Sequence, residues 1–461
     1  MTLTKLTDNN YQGEEFSLSG FSDNERILVR TALDEISNVS VKELAARGLI
    51  IFPSQSAKSD LDDGKKTILS VQYREHDNPI IKTSNIMGFF SVNGVRFEIR
   101  SRFDSGDQQF FLHYMLQKVC NAAPTTTPTD AKRDKFYDFI VYLFPWYLKK
   151  AVAQGLFRAY IRRDYNDSNI RGTIDFPRHF RYNIPFNGKI AYRTREYSHD
   201  NSITQLVRHT IEFIAENHNL RGILAVDKEM RDAVQLIRGS TESYSRFSRE
   251  SVIHQKLRTN PHPYYTEYEP LRKLCISILT HEKRSFGNDS TNELSGILFD
   301  GAALWEEYIY TILKDCGFKH PRNKQSKGGI RMFSKTEDED YFDNNSRRLY
   351  PDFWRDDFII DAKYKHLEKG VGREDLYQVV TYMHCMKTDK GGFIFPVLER
   401  DAPKTLKKYK LDGYGGDISI FAVSIPVVGN DENSWANFKE QMENNEKQIT
   451  GEINQNSPST K

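Results

Sequence analysis

Two aspartates and a lysine stand close together in residues 349–365, a stretch that is typical of a short β-hairpin. Asp352 lies on the first predicted strand, and Asp361 and Lys363 lie on the second. Residues two apart in a strand point to the same face, so Asp361 and Lys363 project together, and the turn brings Asp352 alongside. Carboxylate oxygens suit Mg²⁺ (or Mn²⁺), which can polarise a phosphate and orient a water. Lys363 would assist that water or offset transition-state charge, so the pattern indicates phosphodiester hydrolysis.

Each part of this pattern also has a simpler interpretation. An Asp-x-Lys at a strand end is usually a surface ion pair, and Pro-Asp is an ordinary turn dipeptide. The order of the parts favours a nuclease: Pro-Asp, a turn, an apolar strand, Asp-Ala-Lys, then a predicted helix that carries Gln378 and Tyr382 on one face. This arrangement resembles the PD-(D/E)xK nuclease core.

The elements around the hairpin fit such a core. Residues 301–313 have apolar side chains at helical spacing, and Glu306 or Glu307 on this helix could approach the metal. A solvated helix face explains these glutamates equally well. A second helix is predicted over residues 374–386, where Gln378 could contact the scissile phosphate or a nearby water. The remaining strands of the sheet are predicted over residues 393–397 and 418–428.

Composition sets wide limits on the class of protein. A chain of 461 residues should form two or three domains. The mean hydropathy is −0.63, and no apolar run approaches the ~20 residues of a membrane span. We therefore expect a cytoplasmic protein with no membrane partner. The four cysteines lack metal-ligand spacing, so we expect them to be reduced and buried. The sequence has no P-loop pattern and should not hydrolyse nucleotides itself.

A basic stretch between residues 149 and 196 carries eleven lysines and arginines against four acidic residues, with aromatic side chains interleaved. Arginines supply phosphate contacts and aromatics can stack on bases, which predicts DNA binding. A solvated basic face is the alternative. The candidate DNA-binding residues are Arg162, Arg163, Arg171, Arg178 and Arg181.

The sequence predicts an α+β multidomain protein. Its parts are a β-rich N-terminal module (1–105), a mainly helical middle domain for partner or DNA contact (106–290), a nuclease domain with a mixed central sheet flanked by helices (291–448), and a disordered tail (449–461). The N-terminal module has a strong hairpin signal around Asn93-Gly94. In the middle domain, residues 135–154 read as one helix, and Gly172 predicts a tight turn or a close backbone approach. The acidic run at residues 337–340 is expected to be a solvated loop.

Several of these motifs together resemble the McrC family, the nuclease subunits of McrBC-type modification-dependent restriction systems, and the related LlaJI-type subunits. The matching segments are Ile-Arg-Gly-Thr-Ile-Asp-Phe at 170–176, Asp-Ala-Lys-Tyr-Lys at 361–365, Asp-Leu-Tyr-Gln at 375–378 with Tyr382, and Tyr-Lys-Leu-Asp-Gly at 409–413. The resemblance runs from about residue 110 to about residue 442. The N-terminal extension is longer than in the best-known members.

The resemblance implies a subunit that docks on an McrB-like hexameric AAA+ GTPase, stimulates its hydrolysis and cuts DNA after translocation. It also implies a role in defence against foreign, often methylated, DNA. Two other functions stay open at this point. The chain could be a catalytically silent adaptor that activates the GTPase, or a stand-alone repair or recombination nuclease.

Overall fold

The computed structural model describes residues 3–52, 66–73, 78–104, 106, 108–121, 135–217, 220–254, 263–286, 294–321, 329–333, 348–403, 407–413, 415–429 and 434–455. The acidic run at residues 337–340 and the last part of the predicted tail, residues 456–461, lie outside them. The chain divides into two compact units. The first combines residues 1–119, 127–136 and 289–461, and the second combines residues 120–126 and 137–288.

The N-terminal part of the first unit contains most of a five-stranded sheet, a smaller three-stranded sheet and a covering helix. Its elements are β1 (Leu3–Thr7), β2 (Glu14–Glu15), α1 (Asp23–Ile36), α2 (Val41–Ala46), β3 (Leu49–Phe52), β4 (Leu69–Tyr73), β5 (Pro79–Thr83), β6 (Ile86–Val92), β7 (Val95–Arg100) and α3 (Phe110–Cys120). The predicted hairpin is confirmed, because β6 and β7 pair across the turn at Asn93-Gly94. Phe90 and Phe97 stack with ring centroids 5.0 Å apart, and they lie in the same core as Leu33 of α1.

The second unit contains helices and one exposed sheet. Its elements are α4 (Lys135–Tyr142), α5 (Phe144–Ala153), β8 (Ala159–Asp167), β9 (Thr173–Ile174), α6 (Phe176–Tyr182), β10 (Ile190–Ser198), α7 (Ser202–Glu216), α8 (Lys228–Ser240), α9 (Arg249–His254) and α10 (Tyr268–Phe286). The single helix predicted over 135–154 is wrong, because Pro145 has no amide hydrogen and the chain starts a new helix there. The close backbone approach predicted at Gly172 is confirmed, since an added Cβ would lie 2.2 Å from the Arg193 carbonyl oxygen.

The C-terminal part of the first unit holds a second five-stranded sheet. Its elements are β11 (Ser295–Asp300), α11 (Gly301–Leu313), β12 (Ile330–Arg331), β13 (Arg348–Leu349), β14 (Phe353–Arg355), β15 (Phe358–Ala362), α12 (Arg373–Met386), β16 (Lys390–Leu398), β17 (Lys407–Lys410), β18 (Asp417–Ile425) and α13 (Ser434–Gln455). The strand order is β14-β15-β16-β18-β17. The three central strands are parallel and both edges are antiparallel, which confirms the predicted mixed sheet.

Two strands occupy places that the sequence did not predict. β11 belongs to the N-terminal sheet, whose order is β1-β7-β6-β11-β3, although the stretch after residue 291 was expected to form the nuclease domain. β17 is the edge of the second sheet, so β18 lies inside the sheet and does not close it. The tail expected to be disordered from residue 449 is helical as far as Gln455, because Ile449 and Ile453 are buried on one face of α13.

Helices cover the second sheet and hold the hairpin in place. Val379 and Met383 of α12 pack against Ile359 of β15 and Phe393 of β16. Trp305 of α11 donates its ring N–H to the Ile394 carbonyl, 3.4 Å away. The strand that carries Asp361 is therefore buried along its whole length. None of the described helices is long and apolar enough to cross a membrane.

Gly391 offers a test of this packing. A Cβ at this position would lie 2.5 Å from the Met383 sulfur and 2.8 Å from a Val379 methyl carbon. We expect Gly391→Ala to lower the free energy of unfolding by about 1–3 kcal/mol, because α12 must move away from β16. Urea unfolding followed by circular dichroism measures this. Gly429→Ala is the matched control, since an added Cβ there meets nothing within 4 Å. Equal stability of the two variants would contradict the packing.

Candidate functional site

The β14–β15 hairpin brings two carboxylates together. Phe353 pairs with Ile360, so Asp352 and Asp361 face each other at the open end of the hairpin. The backbone N–H of Ala362 donates to Asp352 Oδ2 at 2.9 Å. Asp361 is only 1% exposed. The predicted proximity of these two aspartates is what the structure shows.

Burial and mutual repulsion dominate the chemistry of this pair. Burial raises the pKa of Asp352 well above its usual range, and the charges of Asp361 and Glu306 raise it further. Burial also raises the pKa of Asp361, although Lys363 opposes the shift. Part of the Asp352 residue is exposed to solvent, but protein atoms surround its carboxyl group. The site therefore disfavours two negative charges unless a cation lies between them.

Lys363 is held by three acceptors. Its Nζ lies 2.6 Å from Asp361 Oδ2 and 3.4 Å from Asp375 Oδ1, and it donates to Gln378 Oε1 at 3.0 Å. Burial alone would lower the pKa of Lys363, but Asp361 and its neighbours raise it overall, so the side chain is an ammonium ion. Lys363 and Asp361 thus lie together as predicted.

Gln378 and Tyr382 extend this network along α12. The two residues lie one turn apart, and Gln378 Nε2 donates to Tyr382 Oη at 2.7 Å. The Tyr382 hydroxyl donates to the Tyr350 carbonyl at 3.3 Å. Burial raises the pKa of Tyr382 to about 12, so the hydroxyl keeps its proton at neutral pH. The amide of Gln378 is thereby oriented with its oxygen toward Lys363.

The first helix of the core brings Glu306 near the pair. α11 begins at Asp300, whose carboxylate accepts the Ala303 N–H at 3.2 Å and caps the helix. Glu306 is half-buried, and its charge is one of the causes of the raised pKa of Asp352. Glu307 has no such effect on Asp352. The structure thus brings Glu306 into the electrostatic field of the aspartates.

The donor set fits Mg²⁺. In the part of the chain that the structure describes, no group of three or more His, Cys, Asp or Glu side chains is arranged around a common metal position. Mg²⁺ is commonly held by one or two carboxylates and completes its octahedral shell with water and phosphate oxygens. Asp352 and Asp361 supply such a pair, and a bound cation would offset the charge of Asp361, which helps to raise the pKa of Asp352.

Sequence reasoning missed two sets of residues around this site. Asp375 contacts both Lys363 and Lys365, the latter at 2.5 Å, and its place three residues before Gln378 on α12 was the available signal. The other set belongs to the N-terminal module, where Arg102 lies 262 residues before Tyr364 in the chain. No local pattern could have indicated it.

The N-terminal module contacts Tyr364, the residue after Lys363. Arg102 donates to the backbone carbonyl of Tyr364, and its guanidinium lies 4.6 Å from the centre of the Tyr364 ring. Ser101 Oγ lies 2.7 Å from the Tyr364 hydroxyl. Buried Asp8 pairs with Arg102 at 3.0 Å, and burial raises the pKa of Asp8 to about 6. The backbone beside Lys363 is therefore fixed from outside the second five-stranded sheet.

The arginines predicted to bind DNA all lie in the second unit. Arg162 and Arg163 are on β8, Arg171 precedes β9, and Arg178 and Arg181 are on α6. Three of them face acids, with Arg163–Glu196 at 3.6 Å, Arg171–Asp167 at 3.8 Å and Arg178–Asp164 at 3.4 Å. Part of the positive charge expected from the sequence is thus balanced locally.

One exposed face of the β8–β10 pair keeps its positive charge. Arg162 lies directly opposite Arg195, and Tyr160 lies opposite Tyr197 with ring centroids 5.0 Å apart. Arg195 stacks over Tyr160 at 4.7 Å. Like charges directly across a strand pair are unfavourable, so this arrangement costs stability. Arg195 was not among the predicted DNA-binding residues.

Comparison with known families identifies the chain. A family model described as "McrBC 5-methylcytosine restriction system component" matches residues 81–396, which is more than half of the 461 residues. This chain belongs to the McrBC family. The resemblance based on the sequence motifs is confirmed, and the chain is a component of a restriction system.

Solved McrBC structures are also similar to this chain. One is the refined half-complex from a tetradecameric assembly of Thermococcus gammatolerans McrB AAA+ hexamers with bound McrC, at 15% identity and a TM-score of 0.46, covering 96% of this chain and 100% of that chain. Another is the cryo-EM structure of the Thermococcus gammatolerans McrBC complex, at 14% identity and a TM-score of 0.31, covering 68% and 87%. No curated protein matches the chain.

The carboxylate pair of this McrBC family member predicts a pH effect on stability. Because the folded-state pKa of Asp352 is raised, the folded chain holds a proton that the unfolded chain releases. Stability should therefore fall as the pH rises from about 4, the usual aspartate pKa, through the raised value. Asp352→Asn removes this charge and should add about 1 kcal/mol at pH 7 without divalent cations.

Thermal unfolding in a chelator between pH 4 and pH 8 tests this expectation. Asp356→Asn in the exposed hairpin turn is the matched control, and its pH profile should follow that of the wild type. An Asp352→Asn variant that is less stable than the wild type at every pH would show that the pair does not store repulsion.

Proposed function

We propose that this chain is the Mg²⁺-dependent DNA endonuclease subunit of its restriction system. The observation that carries the proposal is the pair of facing carboxylates at the end of the hairpin, with Lys363 Nζ 2.6 Å from Asp361. A scaffold has no need of two like charges in a buried position, since their repulsion lowers its stability. In a catalytic site the two charges would have a role, because they would bind a cation that in turn contacts the substrate.

The roles of the side chains follow from their positions. Asp352 and Asp361 would hold Mg²⁺, which supplies Lewis-acid stabilisation of phosphate charge when bound. Lys363 orients the attacking water and stabilises negative charge on the phosphate in the transition state. Gln378 holds the ammonium group of Lys363 through its amide oxygen. Glu306 adds a third negative charge on the Asp352 side of the site.

We also propose a motor partner. The sequence contains no P-loop pattern, so we assign nucleotide hydrolysis in the system to another protein. Membership of the McrBC family supports an McrB-like AAA+ GTPase hexamer as that protein. The chain would dock on this ring, stimulate GTP hydrolysis and cut the DNA that the ring delivers.

The exposed face of β8 and β10 is the proposed contact with DNA. Arginines bind phosphates, and exposed tyrosines can stack on bases, so Arg162, Arg195, Tyr160 and Tyr197 supply both kinds of contact. The opposed arginines lose their mutual repulsion when a phosphate lies between them. Arg181 is exposed on α6 and can add a further phosphate contact.

Asp361→Asn tests the catalytic role. The variant removes a metal ligand and the partner of Lys363, so plasmid cleavage with Mg²⁺, GTP and the motor protein should fall by at least about a thousandfold. GTPase stimulation should be unchanged, because Asp361 is buried and its replacement leaves the surface of the chain as it is. Gel electrophoresis of methylated and unmethylated plasmids measures the cleavage.

Three outcomes of that assay would contradict the proposal. Cleavage by Asp361→Asn at the wild-type rate would sink the assignment of the site. A wild-type chain that stimulates GTP hydrolysis under all conditions but never cuts would favour the adaptor function. Cleavage without nucleotide or motor would favour a stand-alone nuclease.

The double variant Arg162→Ala/Arg195→Ala tests the DNA contact. Each lost phosphate contact should reduce the slope of log affinity against log salt by about 0.9, and affinity should fall for all sequences alike. Fluorescence anisotropy with labelled DNA at several salt concentrations measures this. Arg178→Ala is the control, since Asp164 already faces that arginine. Unchanged DNA binding with lost GTPase stimulation would assign the face to the motor protein.

A further inference from the structure

Asp375 lies at the centre of a row of alternating charges. Lys365 is nearly half exposed at one end, and its Nζ lies 2.5 Å from Asp375 Oδ2. The other oxygen of the same carboxylate lies 3.4 Å from Lys363 Nζ. Lys363 in turn lies 2.6 Å from Asp361, which faces Asp352. The row thus runs from solvent to the buried aspartate pair.

In this row, Lys363 and a bound metal ion would compete for Asp361. The ammonium group of Lys363 lies against Asp361 Oδ2, so a metal ion that binds through this oxygen must compete with it. A cation can take that oxygen only if Lys363 keeps other acceptors, because an ammonium ion without partners is costly inside a protein. Asp375 and Gln378 are the acceptors within reach. Asp375 is the charged one of the two, so it offsets the larger part of the cost.

We infer that Asp375 is a positioning residue that holds Lys363 beside the site when a divalent cation takes Asp361, and that Lys365 limits this hold by sharing the same carboxylate. The inference rests on the proposed metal-dependent nuclease function. It adds that Asp375, in the first turn of α12, affects both the metal affinity of the site and the position of Lys363.

The elements that carry these groups are rigid enough for such a role. Asp375 lies in the first turn of α12, which packs on β15 and β16 through Val379 and Met383. The carboxylate is mostly shielded from solvent, with 13% of the side chain exposed. Glu374 is next to it in the chain but is exposed. Glu374 and Asp375 therefore carry the same charge but differ in their contacts.

The test is a double-mutant cycle on Mn²⁺ affinity, measured by calorimetry on the full chain without DNA or nucleotide. Asp375→Asn should weaken Mn²⁺ binding by about fivefold to tenfold, because Lys363 then depends more fully on Asp361. In a Lys363→Met background the ammonium group is gone, so the same substitution should change affinity by about twofold or less. Glu374→Gln removes an equal charge one residue away and should have little effect in either background.

Lys365→Met provides a second variant with the opposite sign. Without Lys365, Asp375 attracts Lys363 more strongly, so Mn²⁺ should bind more tightly, and this gain should disappear in the Lys363→Met background. Lys365 is nearly half exposed and lies at the solvent end of the row, so its replacement should leave the fold intact. The thermal midpoint of every variant checks that the fold is intact.

The possible results separate the inference from the proposed function. An Asp375→Asn effect of equal size in both backgrounds, or no effect in the wild-type background, overturns the role of Asp375. Absence of Mn²⁺ binding in the wild type, or equal binding by wild type and Asp361→Asn, overturns the metal site itself. Loss of the Asp375→Asn effect in the Lys363→Met background supports the inference.

Discussion

The repulsion between two buried carboxylates is the constraint on which this site depends. The hairpin register places Asp352 and Asp361 opposite each other, and burial raises the pKa of both, with the charge of Asp361 adding to the shift of Asp352. The fold keeps them together by packing the hairpin strand under α11 and α12. Lys363 offsets part of the charge, and a divalent cation would offset the rest. A cation bound as proposed would relieve this repulsion, which would favour the loaded site over the empty one.

Contacts within the first unit leave Lys363 little freedom. Two acceptors on α12 fix the ammonium end of Lys363, and Arg102 of the N-terminal module fixes the backbone of the next residue. The N-terminal module therefore also supports the backbone of the candidate site. Its buried Asp8–Arg102 pair is costly to desolvate, and the fixed geometry beside the site is what the fold gains from it.

Much of the site could be predicted because its signals are local. Asp361 and Lys363 lie two apart in one strand, and Gln378 and Tyr382 lie one turn apart in one helix, so spacing alone placed them. Contacts that join distant segments gave no such signal, as with Arg102 and Tyr364. β8 and β10 were missed because both faces of this exposed pair carry polar residues, and the usual alternation of apolar and polar positions is weak. An arginine keeps its charge uncompensated only where it is exposed with no acidic residue facing it. Which arginines these are depends on strand register.

The position of β11 has a consequence for how the protein is made. This strand lies between β6 and β3, yet it follows the whole second unit in the chain. During synthesis the N-terminal strands emerge first and must wait, with β3 and one edge of β6 unpaired, until nearly three hundred residues have been translated. The same strand leads directly into α11 and the aspartate hairpin. A chain whose synthesis stops before β11 therefore has neither the strand that joins β6 to β3 nor the aspartate–lysine hairpin.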